Sequence, residues 1–247
     1  MRPFQSRPVG NFLGKDADLT ELLGDAPPRT EPLVPGGYKI VGGSTYGECL
    51  AELIKNSSAS HPVLDGKLRP LTVFETATAR IQYPELLELG LDTCTGVAYS
   101  SNGKFKLIPI SRELCSLPED FNPSGLQINY SSISSGVELE RDNTYGRLLS
   151  LNEVLAHRFW LAGFENNLSK LTEYRDLVFN KLAERQNKSV QEVKGMGVWL
   201  LDIPQSDELR GVWLSSININ SSVSCDYGLD GDARFLLGKP PSSGVST

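Results

Sequence analysis

The stretch that decides the fold reads CTGVAYSSNGKFKLIPI, Cys94 to Ile110. Apolar residues alternate with small or polar ones on both sides of Ser101-Asn102-Gly103. Asn-Gly between two such runs is a strong short-range signal for a β-hairpin, so strands are predicted over 94–100 and 104–110. Further short β-like runs follow at 127–130 and 137–140. The string GVWL occurs twice, at 197–200 and 211–214, with Pro204 and Asp207 between the copies. They read as two adjacent strands, each carrying a tryptophan, Trp199 and Trp213.

Helix starts are marked by capping boxes, in which a Ser or Thr and a Glu three residues later each satisfy a backbone N–H of the other. Thr72 with Glu75 opens a helix over 73–82 that Pro84 stops, and Ser150 with Glu153 opens another over 151–157. Ser189 with Glu192 marks a further start. The longest helix is expected over 166–185, where Leu168, Leu171, Tyr174, Val178 and Leu182 recur every three or four residues and form a packing face. Helices and strands do not alternate regularly, which excludes a doubly wound sheet. The fold class is therefore α+β: an antiparallel or mixed sheet with helices packed on it. An extended Pro-rich arm covers 1–36, a single domain 37–238 and a tail 239–247, with a sub-boundary near 145 as the second division.

Composition bounds the chemistry. The 247 residues are 39% hydrophobic, enough to bury a core, and carry a net charge of −6, which disfavours a phosphate backbone as partner. No apolar run approaches the roughly 18 residues that span a bilayer, so no membrane partner is expected and the location is expected to be cytoplasmic. Cys49, Cys94, Cys115 and Cys225 show no C-x-x-C spacing and read as buried thiols. The histidines are His61 and His157, and no G-x-S-x-G elbow occurs. The second histidine closes a predicted helix, where a partly positive side chain is favoured. No enzymatic activity and no cofactor are expected.

Weaker features remain. Gly42, Gly43, Ser44 and Thr45 follow a predicted strand over 38–41 and precede a predicted helix over 48–55, an arrangement that can offer backbone N–H groups to a phosphate. Val41–Thr45, VGGST, resembles a nucleotide-phosphate turn of the actin and Hsp70 ATPase superfamily. That superfamily's aspartate-containing phosphate loop has no counterpart here, and a helix-capping role is expected instead. The run from 209 to 216 resembles the first barrel strand of some bacterial glycoside-hydrolase-like proteins. Too little chain follows to encode such a barrel, so the tryptophans read as core or interface anchors. Glu138, Glu140 and Asp142 alternate along a predicted strand as a candidate cation site. Asp226, Asp230 and Asp232 are candidate metal ligands. Leu237 nevertheless stands where a calcium loop needs its bidentate glutamate, and Asp230-Gly231 is expected to turn a hairpin between 217–224 and 233–237.

The function that accounts for these features is a non-enzymatic structural or assembly subunit, a virus-like particle being one such assembly. Its terminal arms would contact homo- or hetero-oligomeric neighbours, with Phe4, Pro27, Pro28, Trp199 and Trp213 as interface candidates. One alternative is a binding module in a nucleic-acid-handling complex, using Arg69, Arg80, Tyr99 and Tyr130. The other is an enzyme that binds a phosphorylated ligand at 42–47.

Overall fold

The computed structural model of the chain describes residues 29–34, 38–43, 69–109, 111, 125–228 and 233–238. In chain order these form β1 (Arg29–Val34), β2 (Tyr38–Gly43), β3 (Arg69–Pro70), α1 (Val73–Gln82), β4 (Leu91–Tyr99), β5 (Phe105–Ile108), β6 (Leu126–Gln127) and β7 (Val137–Leu139). Then come α2 (Leu151–Ala156), α3 (Arg158–Gly163), α4 (Leu168–Gln186), β8 (Val198–Trp199), β9 (Glu208–Leu214), β10 (Val223–Ser224) and β11 (Ala233–Gly238). The architecture is α+β, with one mixed, curled sheet.

The hairpin forms as its sequence predicts. β4 and β5 pair antiparallel from Gly96↔Ile108 to Tyr99↔Phe105. The Ser100 N–H donates to the Lys104 carbonyl at 2.8 Å. Gly103 has φ +91°, which a residue without Cβ adopts at little cost. β4 is the hub of the sheet. β9 runs antiparallel along one edge, while β11, parallel, and then β5 share the other. The path is β1-β2-β11-β4-β9-β10-β8, with β5 and β7 branching from β4, β6 from β9 and β3 from β11.

All four helices among the described residues pack on one face. Val97, Leu107, Val198, Val212 and Val223 meet Ala77 of α1, Phe159 and Trp160 of α3, and Tyr174 and Val178 of α4 in a single core. Burying each such side chain stabilises the fold by about 1.5–3 kcal/mol relative to leaving it in water. The Trp160 indole satisfies its polar edge by donating to the Met196 carbonyl at 2.7 Å. On α1 the capping box is complete: the Glu75 N–H donates to Thr72 Oγ1 at 3.1 Å, and the Thr72 N–H to Glu75 Oε2 at 2.9 Å. At α2, Glu153 accepts from both the N–H and the hydroxyl of Ser150.

Several local expectations are corrected. Glu192 does accept from the Ser189 N–H and hydroxyl, but only a turn follows, because the chain is drawn into a bridge between Leu149 and Gly195. Leu168 is 51% exposed, since α4 begins there and the packing face starts at Leu171. The run at 127–130 is strand only through Gln127, after which the Asn129 side chain accepts from the Ser131 N–H and starts a 3-10 turn, Tyr130–Ser132. The two GVWL copies are not neighbours, because β10 lies between them. Within 217–224 only Val223–Ser224 is strand. β10 and β11 do not form a hairpin either, since β9 and β4 separate them. The predicted helix over 48–55 lies outside the described residues, as does the arm before residue 29 and the tail after 238. Gly42 and Gly43 fall inside β2, two residues beyond the predicted strand end.

Candidate binding surface

The sheet brings the two tryptophans together by register. Ser224 of β10 stands opposite Trp213 on its antiparallel side and opposite Trp199 on its parallel side. Residues directly opposite one another point to the same face. The neighbouring Val198, Val223 and Val212 point into the helix-covered core, so Trp199, Ser224 and Trp213 face away from the helices. At about 4.8 Å per strand spacing, the tryptophan backbones lie about 10 Å apart with a small serine between them. Both rings are half-buried, and Tyr227 stands edge-on to Trp213 with centroids 5.5 Å apart. Three amphipathic rings thus line one face, each with an apolar body and a polar tip.

Gly90 seats this surface. A Cβ on it would lie 2.7 Å from Trp213 Cζ2 and 3.0 Å from Nε1. Gly90→Ala is therefore expected to push the indole off its seat at a cost of about 1–2 kcal/mol, visible as a changed near-UV circular dichroism signal. An unchanged spectrum and melting temperature would show that the indole does not rest there.

Beneath the β9–β10 connection lies Arg80 of α1, with no exposed surface. Its guanidinium donates to the carbonyls of Leu89 (2.5 Å), Leu214 (3.1 Å) and Ser215 (3.1 Å) and to the Tyr174 hydroxyl (3.0 Å). It also reaches the Ser221 hydroxyl at 3.4 Å. No carboxylate among the described residues pairs with it. The connection closes on itself as well: the Ser215 N–H donates to the Ser222 carbonyl at 2.8 Å, and the Ser222 N–H to the Ser215 hydroxyl at 2.7 Å. Its tip is the 3-10 turn Ile217–Ile219, with Ile219 exposed.

His157 does not carry the positive charge its place at the end of α2 suggested. It is 3% exposed, neither ring nitrogen has a hydrogen-bond partner, and its ring meets Tyr145 at 4.8 Å. Burial, seconded by Arg147, lowers its pKa to about 4, against a pull from Asp142. The hydroxyl of Tyr145 is also buried without a partner.

The other sequence candidates are dispersed. Glu138 accepts from Lys104 and from the Tyr130 hydroxyl, Glu140 pairs with Arg158 at the surface, and Asp142 accepts from the Thr144 N–H. Among the described residues no group of three His, Cys, Asp or Glu is placed to hold a metal ion. Asp226 is exposed at the end of β10, while Asp230, Asp232, Ser44, Thr45, Phe4, Pro27 and Pro28 lie outside the described residues. Arg80 and Tyr99 are fully enclosed and Tyr130 nearly so, which removes three of the four residues offered to nucleic acid. Ser224 went unseen in the sequence because only strand register puts it between the tryptophans, and Gly90 and Tyr227 because only the folded chain brings them against Trp213. Among the described residues no helix is long and apolar enough to cross a membrane.

In comparisons with known proteins, no family model matches the chain, and no curated protein does. One solved structure is similar, described as "Accommodation of massive sequence variation in Nanoarchaeota by the C-type lectin fold". The likeness covers 83% of this chain and 99% of that one, with a TM-score of 0.59 and 14% identity. At that identity it speaks for the fold alone, and the curled mixed sheet with its helices on one face is similar to a C-type lectin fold.

Proposed function

We propose that the chain is a non-enzymatic protein-binding module whose contact surface is the sheet face opposite the described helices, carrying Trp199, Trp213 and Tyr227. The observation that carries the reading is the register of both tryptophans about Ser224, which leaves two half-buried indoles side by side on a rigid sheet. Trp and Tyr supply large apolar area at low entropic cost and dominate the energetics of protein interfaces. The similar solved structure is described by the sequence variation its fold accommodates, which suits a scaffold whose surface is specialised separately from its core. Membership of a multi-subunit assembly, with a virus-like particle as its extreme form, is the narrower version of the same reading.

The test is selection of binders from a displayed peptide library, with a glycan array in parallel. Peptide binders are expected, and Trp213→Ala is expected to weaken them about 30-fold, the equivalent of about 2 kcal/mol for a central aromatic anchor. Trp199→Ala is expected to act in the same direction. Binders indifferent to both substitutions would sink the proposal, and glycans held in place of peptides would reassign the ligand class. Light scattering addresses the narrower version: a strictly monomeric chain contradicts it.

A further inference from the structure

The buried histidine is connected to the tryptophan surface by an unbroken line of rings. His157 meets Tyr145 at 4.8 Å, Tyr145 meets Phe105 at 5.7 Å, and Phe105 stacks on Tyr99 at 6.2 Å. The Tyr99 hydroxyl then donates to the Cys225 carbonyl at 3.0 Å and accepts the Leu201 N–H at 3.3 Å. Cys225 directly follows Ser224, the residue between the two tryptophans, and Leu201 lies two residues after Trp199. One tyrosine hydroxyl therefore ties both strand ends that present the surface.

At the far end of this line a charge on His157 would have no welcome. The charged groups that act on it are Asp142 and Arg147 from the segment before α2 and Glu153 from α2, while Arg141 and Arg158 act on its neighbour Tyr145. Both carboxylates are already engaged. Asp142 accepts from the N–H and hydroxyl of Thr144, and Glu153 from Arg147 and Ser150. The Arg141 guanidinium lies over the Tyr99 and Phe105 rings and donates to the Leu201 carbonyl. An imidazolium here would stand desolvated with no hydrogen-bond partner at either ring nitrogen, a state that is relieved by leaving the site.

We propose that protonation of His157 expels its ring from the corner between α2 and α3 and, through Tyr145, Phe105 and Tyr99, loosens the strand ends that carry Trp199 and Trp213. Acid thereby opens the contact surface. The regulatory meaning, release of a partner at low pH, rests on the reading of that surface as the binding site. The coupling is of the kind used by pH sensors, in which a new charge on a buried histidine repacks the groups in contact with it.

The experiment needs no ligand. Acrylamide quenching of tryptophan fluorescence is followed from pH 7 to pH 3.5, through the pH near 4 at which the folded chain takes up this proton, in the full chain and in His157→Phe, and the imidazole signals of the wild type are titrated by NMR over the same range. Trp160 is fully buried and gives a constant background. The quenching constant of the wild type is expected to rise about twofold, in step with protonation of His157, and to stay level in His157→Phe. A level wild-type curve, or the same rise in the variant, would overturn the proposal. If His157→Phe does not fold, the wild-type NMR titration decides alone, since a His157 that protonates with no change in quenching also overturns it. Should quenching follow His157 while Trp199→Ala and Trp213→Ala leave peptide binding intact, the coupling stands and the placement of the binding site is what fails.

Discussion

Replacing Arg80 with methionine is expected to remove about 4 kcal/mol of stability. The guanidinium is fully enclosed and holds three main-chain carbonyls and two hydroxyls, from α4, from both ends of the β9–β10 connection and from Leu89 before β4. Methionine fills part of the space but takes the guanidinium donors from the three carbonyls, each at a cost of about 1–3 kcal/mol less whatever water recovers, while the Tyr174 and Ser221 hydroxyls keep their mutual bond at 2.9 Å. Against a total of about 5–15 kcal/mol, the loss would bring the chain close to unfolding at physiological temperature. Arg80→Lys keeps the charge but not the planar fork, so it should fall between the two. Urea titration checks both variants. A midpoint for Arg80→Met that lies within about 1 kcal/mol of wild type would mean that the enclosed network is not what holds the connection in place.

Stability is expected to fall with acid between pH 6.5 and pH 4. Above pH 6.5 His157 is neutral in the folded and the unfolded chain, so it contributes no pH dependence. As the pH drops, the unfolded chain takes up a proton that the folded chain refuses, and stability declines until the folded form also protonates near pH 4. The separation of the two values corresponds to roughly 3 kcal/mol, or about 6–12 °C in melting temperature for a chain of this size. Glu153 adds a second loss at the acid end of this window. Arg147 and Ser150 lower its pKa to about 2, so its contribution begins to decline below about pH 5, a loss that wild type and His157→Phe share. Melting curves of wild type and His157→Phe should converge at acid pH as the wild type loses its advantage. Parallel curves at all pH values would contradict the assignment.

The sequence carried the local signals faithfully and the long-range ones poorly. The hairpin at Ser101–Gly103 and the helices after Thr72 and Ser150 rest on interactions three or four residues apart, and each appears where its residues predict. Ser189 shows the limit, since its capping interaction with Glu192 forms while a bridge to Leu149 claims the chain beyond it. Strand order is a contest between distant segments. The two GVWL copies look like a natural pair until the two-residue β10 wedges between them, and nothing in Val223-Ser224 announces that insertion. The same wedge makes the proposed surface: Ser224 lies between Trp199 and Trp213 and sets their spacing. Of the candidate metal ligands Asp226, Asp230 and Asp232, only Asp226 is described; it is exposed and joins no metal-holding group among the described residues. Arg80 read as a surface cation because charge alone does not reveal burial. Its enclosure becomes legible only once α1, α4 and the β9–β10 connection are in place.

Oxidative footprinting of the protein free and bound to a selected peptide tests the central claim most directly. Trp199, Trp213 and Tyr227 are expected to be labelled in the free protein and protected together in the complex, while Trp160 stays unlabelled in both. Protection that falls elsewhere and leaves the three rings as reactive as before would contradict the account.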